Sequence, residues 1–316
     1  MNNILITGGL GYVGGRIVKY LLANTNSEIV VSSRTQANVS TIFGNNRVNL
    51  YAADKLTDVN LSLPDGIDSI IHLASTNEIQ AATDPADSIL VNVHDSYILL
   101  QKAIRQKVKR FVYFSTAHVY CSPLEGSITE EFCPRPIHPY AITHKGFEDF
   151  LWAANQKKEI EGIIVRLSNS YGAPILPDVN RWTLLVNDLC RQAVENKQML
   201  LKSSGLQLRD FVTLSDVCRA VHHLLLLPVD KLGDGIFNLG GNHVISVFEM
   251  AKLIQQRFIE EFNLPVQLIR SDPDGKEQVA PLRFYSNRLA ESGFIWEQNA
   301  TREIDQLIHF CLHNFS

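Results

Sequence analysis

The sequence lacks the features that mark several classes of protein. Its apolar runs are short, and the run from Leu224 to Val229 is interrupted by Pro228, so we expect no membrane span. Its net charge is −4, which argues against a nucleic-acid-binding surface and against a polybasic membrane anchor. The first residues belong to a glycine motif and leave no room for a signal peptide. We therefore expect a cytoplasmic protein that binds neither nucleic acid nor membrane.

Cysteine is scarce, and its spacing excludes two further classes. The five cysteines are odd in number and lack a C-x-x-C pair, so neither a disulfide framework nor a zinc site is predicted. The adjacent pair His222 and His223 has no third ligand at a sensible spacing, so we predict no metal site there either. We interpret as reduced thiols Cys121, Cys133, Cys190, Cys218 and Cys311.

The order of apolar and amphipathic segments predicts the fold class. The chain has 316 residues, of which 45% are hydrophobic, enough for a substantial core. Strand patterns alternate with helical patterns, which is typical of a doubly wound parallel α/β sheet of Rossmann type. The predicted strands are 4–7, 28–32, 47–52, 68–73, 110–115 and 162–167, and the predicted helices between them are 11–24, 84–108 and 139–156.

A glycine cluster follows the first predicted strand, within residues 3–14. Gly9, Gly11 and Gly14 fit G-x-G-x-x-G, and Gly8 with the latter two fits a second spacing of the same motif. Missing side chains let the backbone turn sharply and let a pyrophosphate approach the amides of a helix N-terminus. The same glycines could form an ordinary tight turn, so the motif by itself leaves both interpretations open.

The regular alternation ends near Tyr171. Beyond it we predict helices at 181–196, 215–227 and 246–262, strands near 199–202, 206–213, 236–239 and 265–270, and a loop at 271–285. We interpret this part as a smaller discontinuous α/β lobe that binds the substrate. The predicted dinucleotide-binding domain is 1–170 plus about 211–240, and the predicted substrate lobe is about 171–210 plus 241–316.

Hydroxyl groups mark the expected ligand crevice beyond the strand ends. Ser115 and Thr116 end one strand, and Tyr140 opens a helix some twenty residues later. Here the sequence resembles the extended short-chain dehydrogenase/reductase family, whose members act mostly on nucleotide sugars. The resemblance covers nearly the whole chain and is carried by Thr7 with Gly8, Gly11 and Gly14, His72 to Ser75, Asn92, Ser115, Thr116, Val119, Tyr120, Tyr140, Arg166 to Gly172, and Arg209 to Val212.

The resemblance implies a catalytic role for each of these hydroxyl groups. Tyr140 would exchange a proton with a sugar hydroxyl or ketone, and Thr116 would hold the same sugar oxygen. A free phenol has a pKa of about 10, and lowering it by roughly 3 units for work near pH 7 requires about 4 kcal/mol. The family lowers it with a lysine four residues after the tyrosine and with the charge of the nicotinamide.

This chain departs from the family at that lysine, because His144 stands in its place and Lys145 comes one residue later. At roughly 100° per residue, His144 lies about 40° from Tyr140 around a helix and Lys145 about 140° away. We expect His144 to replace the lysine, donating to a ribose hydroxyl and, when protonated, lowering the pKa of Tyr140. Two alternatives are a local helix bulge that turns Lys145 inward, and a site that only binds.

The resemblance also implies cofactor and substrate contacts. The second strand ends in Ser33 and Arg34 without the acid of an NAD site, so Arg34 could meet the 2′-phosphate of NADP, although it could also be a surface arginine. The expected cofactor is NADP, with NAD as the alternative. The implied cofactor residues are Gly8, Gly11, Tyr12, Val13, Gly14, Ser33, Arg34, Asp54, Leu73, Ala74, Ser75, Asn92, Ser115, Tyr140 and His144, and the implied substrate residues are Thr76, Thr116, Asn169 and Arg209.

These residues are compatible with three functions. We predict an NADPH-dependent reductase of a nucleotide-linked 4-keto sugar, with an NAD-dependent 4-epimerase and a non-catalytic NAD(P)-binding protein as alternatives. Dehydratases of the family carry an Asp-Glu pair where Ala117 and His118 stand, which argues against water elimination. By resemblance we expect a homodimer formed through helices at about 84–108 and 139–156.

Overall fold

The computed structural model describes residues 3–52, 54–179, 181–272 and 277–316. Its first half alternates strands with helices, as the sequence predicted. The strands are β1 (Asn3–Thr7), β2 (Glu28–Ser33), β3 (Val48–Ala52), β4 (Ser69–His72), β5 (Arg110–Thr116), β6 (Gly126–Ile128) and β7 (Glu161–Leu167). The helices are α1 (Tyr12–Asn24), α2 (Val39–Phe43), α3 (Asp54–Thr57), α4 (Glu78–Thr83), α5 (Pro85–Ile89), α6 (Ser96–Arg105) and α7 (Pro139–Gln156).

The second half contains shorter strands and three long helices around a further core. Its strands are β8 (Asn169–Tyr171), β9 (Gln198–Leu200), β10 (Leu208–Thr213), β11 (Ile236–Leu239), β12 (Val244–Ser246), β13 (Gln267–Ile269) and β14 (Leu282–Phe284). Its helices are α8 (Leu185–Asn196), α9 (Leu214–Leu226), α10 (Val247–Glu260), α11 (Asn287–Glu291) and α12 (Ala300–Phe315). No helix in the described ranges is both long and apolar enough to cross a membrane.

The central sheet has seven parallel strands in the order β11-β7-β5-β4-β1-β2-β3. The chain winds outward from β1 in one direction and then returns to begin again at β4, so the strand order reverses between these two strands. Ligands of such sheets bind at this reversal, beyond the carboxyl ends of the strands. The predicted fold class is confirmed, and the topology places the expected site after β1 and β4.

Helices cover both faces of this sheet and bury its apolar side chains. One face packs against α1 and α9, and the other packs against α6 and α7. Each fully buried aliphatic side chain stabilises the fold by about 1.5–3 kcal/mol. A separate core joins α8, α10 and α12 and includes Leu189, Ile254 and Leu307. The proposed domain boundaries stay a prediction.

The structure corrects the prediction of one continuous helix at 84–108. Asp84 accepts a hydrogen bond from the backbone of Asp87 and begins α5, and the segment Leu90–Asp95 is π-helical before α6 begins. The helix ends at Arg105, before the predicted boundary. A π-turn contains one residue more than an α-helical turn, so it changes the direction in which all later side chains of the helix point. An i, i+3, i+4 pattern of apolar residues does not reveal this change.

Smaller differences concern the second half. The helix predicted at 181–196 begins at Leu185, which leaves Arg181 in the preceding irregular segment. The predicted loop at 271–285 contains β14, which pairs with β6, while residues 273–276 lie outside the described part of the chain. The terminal helix α12 was not predicted, although Asn299 caps it by accepting a hydrogen bond from the backbone of Arg302.

Candidate active site

A cleft of about 950 Å³ opens beyond the carboxyl ends of the central strands. It lies where the strand order reverses, because residues just after both β1 and β4 line it. The cleft brings together most of the residues predicted from sequence. The predicted residues that line it are Gly8, Gly11, Tyr12, Val13, Gly14, Ser33, Arg34, Asp54, Leu73, Ala74, Ser75, Thr76, Ser115, Tyr140 and His144.

The glycine turn fits a dinucleotide because side chains are excluded where the phosphates would lie. Gly8 has a positive φ of 67°, and its carbonyl accepts a hydrogen bond of 2.8 Å from the Gly11 amide. A Cβ on Gly14 would stand only 2.2 Å from the Gly8 oxygen. Helix α1 begins at Tyr12, and its N-cap residue Gly11 provides no side-chain cap. Its first amides are therefore available to an anion.

A buried polar cluster fixes the loop after β4. The Thr7 hydroxyl oxygen accepts hydrogen bonds of 3.1 Å from the amides of Leu73 and Ala74, and it bonds His72 Nδ1 at 2.6 Å. The other nitrogen of His72 bonds the hydroxyl of Ser96 at 2.8 Å. Both ring nitrogens are occupied, so His72 supports the loop and is not available to a ligand. Burial lowers the pKa of His72 to about 3.

Cofactor choice was predicted to depend on the residues at the end of β2. Ser33 and Arg34 line the cleft there, as does Asp54, which follows β3, and Arg34 is exposed. Within the described residues, no carboxylate forms an ion pair with Arg34. Its guanidinium can therefore pair with a phosphate without first losing a partner.

Tyr140 also lines the cleft, from the first turn of α7. Pro139 occupies the start of that helix, and the ring of His138 accepts a hydrogen bond of 3.2 Å from the Tyr140 amide. Burial raises the pKa of the Tyr140 phenol above its ordinary value. The charge of Arg181 and a side-chain hydrogen bond with Thr116 lower it by smaller amounts. The phenol is therefore protonated near neutral pH.

His144 stacks edge-on against Tyr140 with ring centroids 4.4 Å apart, as the helical spacing predicted. Its Nδ1 atom is 2.6 Å from the hydroxyl of Tyr113, and its Nε2 atom has no partner in the described structure. Burial lowers the pKa of His144 to about 3, so the imidazole is neutral near pH 7. Burial therefore opposes the protonation of His144 that was expected to lower the pKa of Tyr140.

Lys145 points away from the cleft and forms an ion pair with Asp149 on the next turn of α7. The helix is continuous from Pro139 to Gln156, so no bulge turns the lysine inward. The structure therefore contradicts the alternative in which a local rewinding brings Lys145 to Tyr140. The role of His144 toward a cofactor stays a prediction.

Asn92 is not brought to the cleft, contrary to its predicted place in the cofactor site. Its side chain is 1% exposed. Its oxygen accepts from the Thr76 amide at 2.8 Å, and its nitrogen donates to the hydroxyls of Thr76 and Thr143. These hydrogen bonds join the loop after β4 to α7. Asn92 therefore positions the cleft wall from outside the cleft lining.

The predicted substrate residues occupy different surroundings. Thr76 lines the cleft, and Thr116 adjoins Tyr140, while Asn169 and Arg209 are outside the cleft lining. Asn169 donates to the backbone carbonyl of Asp210 at 3.0 Å.

The surroundings of Arg209 differ from those of Asn169. Asp210 accepts from the Ser168 hydroxyl and from two backbone amides, and within the described residues it forms no ion pair with the adjacent Arg209. Burial, and to a smaller extent the charge of Arg209, lower the pKa of the nearby His118, whose Nδ1 is buried and has no partner among the described residues.

Two residues that adjoin the predicted site residues were not identified from the sequence. Arg181 lines the cleft and forms a 3.1 Å ion pair with Glu78, which joins the irregular segment before α8 to α4. No motif marks Arg181, since it lies in an irregular stretch. Tyr113 was interpreted only as part of a buried strand, and no local pattern shows that its hydroxyl meets His144 from another element.

The parallel sheet, the glycine turn and the cleft at the strand reversal define a dinucleotide-binding α/β protein. A model of the NAD dependent epimerase/dehydratase family matches residues 4–240. The chain belongs to this family of NAD-dependent enzymes, which confirms the resemblance seen in the sequence.

The individual proteins to which this chain is similar have low sequence identity to it. The dTDP-glucose 4,6-dehydratase of Escherichia coli is 26% identical over 354 aligned positions, covering 98% of this chain and 94% of that protein. The UDP-glucose 4-epimerase of Halalkalibacterium halodurans is 26% identical over 269 positions, covering 80% and 79%. The structure of UDP-glucose 4-epimerase from Thermotoga maritima has a TM-score of 0.81 at 21% identity, covering 99% of this chain and 100% of the other. At that identity the structural likeness shows the shared fold.

Proposed function

We propose that this protein is an NADPH-dependent reductase of a nucleotide-linked 4-keto sugar. The observation that carries the proposal is the position of Tyr140 beside Thr116 and His144, with Lys145 turned away to pair with Asp149. Reduction of a carbonyl requires a proton donor, and a phenol whose pKa lies above 10 is protonated at pH 7. Oxidation of a sugar hydroxyl requires a base, and here neither lysine nor imidazolium lowers the pKa of the tyrosine.

The cofactor residues support NADPH, which supplies the hydride when bound. The amides at the start of α1 would hold its pyrophosphate, and Arg34 would hold the 2′-phosphate. Ser115 supports a ligand at the inner end of the cleft, because its hydroxyl oxygen is buried without a partner among the described residues. A buried hydroxyl left unpaired costs about 1–3 kcal/mol, which a bound ligand would recover.

Each residue near the reacting carbonyl would have one role. Tyr140 donates the proton to the carbonyl oxygen, and Thr116, which hydrogen-bonds the same phenol, holds that oxygen in place. His144 donates a neutral hydrogen bond and fixes the cofactor. Arg209 lacks a carboxylate partner in the described structure and would bind a phosphate of the nucleotide.

The relatives support a nucleotide sugar as the substrate, since they are named for dTDP-glucose and UDP-glucose. Their names also include a dehydratase, which must remove a proton and a hydroxyl from adjacent carbons. Ala117 has no functional group for such a step, and the pKa of His118 is lowered by burial and by Arg209. We therefore favour reduction over elimination.

A 4-epimerase is the second candidate, favoured by the relative of that name with 26% identity. It would use the same Tyr140 and Thr116 but would regenerate its cofactor in each cycle. A protein that only binds NAD(P) is the third candidate, because the family's lysine is absent.

Cofactor turnover separates the three candidates. NADPH is mixed with a panel of nucleotide-linked 4-keto sugars, and the loss of absorbance of the reduced cofactor is monitored. A reductase consumes NADPH in proportion to product, whereas an epimerase converts a nucleotide sugar with no net change in cofactor. Tyr140→Phe should abolish turnover and leave NADPH affinity nearly unchanged. Turnover that survives this substitution contradicts the assigned proton donor.

We also propose that the protein is a homodimer through α6 and α7. Their outer faces expose large apolar side chains, including Tyr97, Ile142, Phe150 and Trp152. Such a patch on a protein surface marks an interaction site. The double variant Ile142→Glu with Trp152→Glu should sediment as a monomer, and Ile295→Glu, at an exposed site near the other end of the chain, should not change the mass. A wild-type monomer at micromolar concentration contradicts the proposal.

A further inference from the structure

The buried pair formed by Tyr113 and His144 has no place in the proton transfer described above. Tyr113 lies in the middle of β5 and is 1% exposed, and its hydroxyl is 2.6 Å from Nδ1 of His144. Its ring is held by a stacked His72 at 5.7 Å and by Phe147 edge-on at 4.7 Å. The phenol therefore has one fixed direction, toward the imidazole.

The positions of the hydrogens can be derived by counting donors and acceptors. A neutral imidazole carries one N–H and one acceptor nitrogen. If Nδ1 carried the hydrogen, the Tyr113 hydroxyl hydrogen and the Nε2 lone pair would both lack a partner among the described residues. If Tyr113 donates to Nδ1, only the Nε2 hydrogen is left unpaired. The second arrangement leaves fewer buried groups unsatisfied and is therefore favoured.

The remaining Nε2 hydrogen belongs to a ring that lines the cleft. His144 is 2% exposed, and its Nε2 has no partner in the described part of the protein. Burial raises the pKa of Tyr113 well above its ordinary value, so the phenol keeps the hydrogen that it donates. A residue that lines the cleft thus carries an unpaired neutral donor.

We propose that Tyr113 is a positioning residue that locks His144 as the Nε2–H tautomer, so that the imidazole donates a hydrogen bond to an acceptor oxygen of bound NADPH. The inference rests on the proposed cofactor site and assigns a role to a residue that does not itself line the cleft. It explains how an uncharged side chain can serve at the position of a lysine. The lysine always donates, whereas a histidine donates in the required direction only when its tautomer is fixed.

The first test uses the unaltered protein without cofactor. Long-range ¹H–¹⁵N spectra of histidine side chains are recorded from pH 8 to pH 5, and the signals of His144 are identified by their loss in His144→Gln. We expect the Nε2–H pattern at every pH. An Nδ1–H pattern, a mixture of tautomers, or a doubly protonated ring in this range overturns the inference. This test needs no turnover and no variant of Tyr113.

The second test measures NADPH affinity by calorimetry in Tyr113→Phe. Without its donor, His144 should populate both tautomers, and NADPH binding should weaken about 3- to 10-fold. Tyr120→Phe is the control, because it also removes a buried hydroxyl, one that donates to Asn238 at 2.7 Å and accepts from Arg166 at 2.9 Å. That variant should bind NADPH with unchanged affinity and keep the His144 pattern.

The outcomes separate this inference from the proposed function. An unchanged tautomer pattern or unchanged NADPH affinity in Tyr113→Phe overturns the inference, as does equal weakening in both variants. If Tyr113→Phe does not fold, the spectra of the unaltered protein decide. NADPH binding with the predicted tautomer but without turnover of any keto sugar supports the inference and contradicts the reductase. Turnover with the wrong tautomer does the reverse.

Discussion

Lowering the pH from 8 to 5 should destabilise this protein through the buried imidazole of His144. Its pKa is lowered to about 3 by burial in the folded protein and is about 6.5 in an unfolded chain. Because the folded-state value is the lower one, the unfolded chain takes up the proton first. The stabilising contribution is complete above about pH 6.5 and is lost as the pH falls toward 3. At pH 5, about 1.5 units below the unfolded value, the loss is about 2 kcal/mol.

The assay is urea unfolding at pH 8, 7, 6 and 5 for the wild type and for His144→Gln. His72, whose pKa is also lowered to about 3, adds a loss of similar size, and Asp210, whose pKa is raised, acts in the opposite direction. These groups titrate in both proteins, so their effects cancel in the difference between the two. The stability difference between the wild type and the variant should shift by about 2 kcal/mol in favour of the variant from pH 8 to pH 5.

The control is His313→Gln, which alters an exposed histidine near the end of α12. Its stability should match the wild-type curve at every pH. A difference between the wild type and His144→Gln that stays constant from pH 8 to pH 5 would refute the assignment of His144 as a buried neutral ring. The proposed donor role would then lose its physical basis.

Three further predictions concern the glycine turn, the cofactor and the outward lysine. Gly14→Ala should abolish NADPH binding in calorimetry and lower the urea midpoint, because its Cβ would stand 2.2 Å from the Gly8 carbonyl oxygen. Gly15→Ala should be tolerated better, because its Cβ would meet the Ile175 side chain at 2.6 Å, which can rotate, while the Gly9 carbonyl oxygen is 3.6 Å away. Arg34→Ala should weaken NADPH binding by about 1.5–3 kcal/mol and leave NADH binding unchanged, and equal effects on both cofactors in calorimetry would argue against the 2′-phosphate contact. Lys145→Ala should keep full turnover and change the unfolding free energy by less than about 1 kcal/mol, because its ion pair lies at the surface, and a loss of turnover would return the lysine to the site.

Local regularities explain which features could be predicted from the sequence. The turn at Gly11 and Gly14 depends on neighbouring residues, because an added Cβ at either position would meet the Gly8 carbonyl oxygen a few positions away. The facing of His144 toward Tyr140 depends only on the pitch of α7. These features were predicted correctly because each is set within one or two turns of the chain.

Features that join distant segments could not be predicted in the same way. The helical pattern at 84–108 concealed the π-helical segment and the contacts of Asn92 with the loop after β4 and with α7. Arg181 reaches the cleft from an irregular segment and pairs with Glu78, more than one hundred positions earlier in the chain. Each of these contacts depends on how elements far apart in the chain pack together, and such packing leaves no periodic pattern in the sequence.

The amino-acid sequence by itself determined the family, the parallel α/β fold and the presence of a histidine where a lysine is expected. Only the tertiary structure decided what that histidine can do. Spacing along a helix places the ring but says nothing about its protonation, which depends on the surrounding water and partners. Here β4, β5 and α7 pack together, exclude water from His144 and bring Tyr113 to its Nδ1 atom. The imidazole is consequently a neutral hydrogen-bond donor and not a cation, because a charge at that buried position would lose its hydration without gaining a counterion.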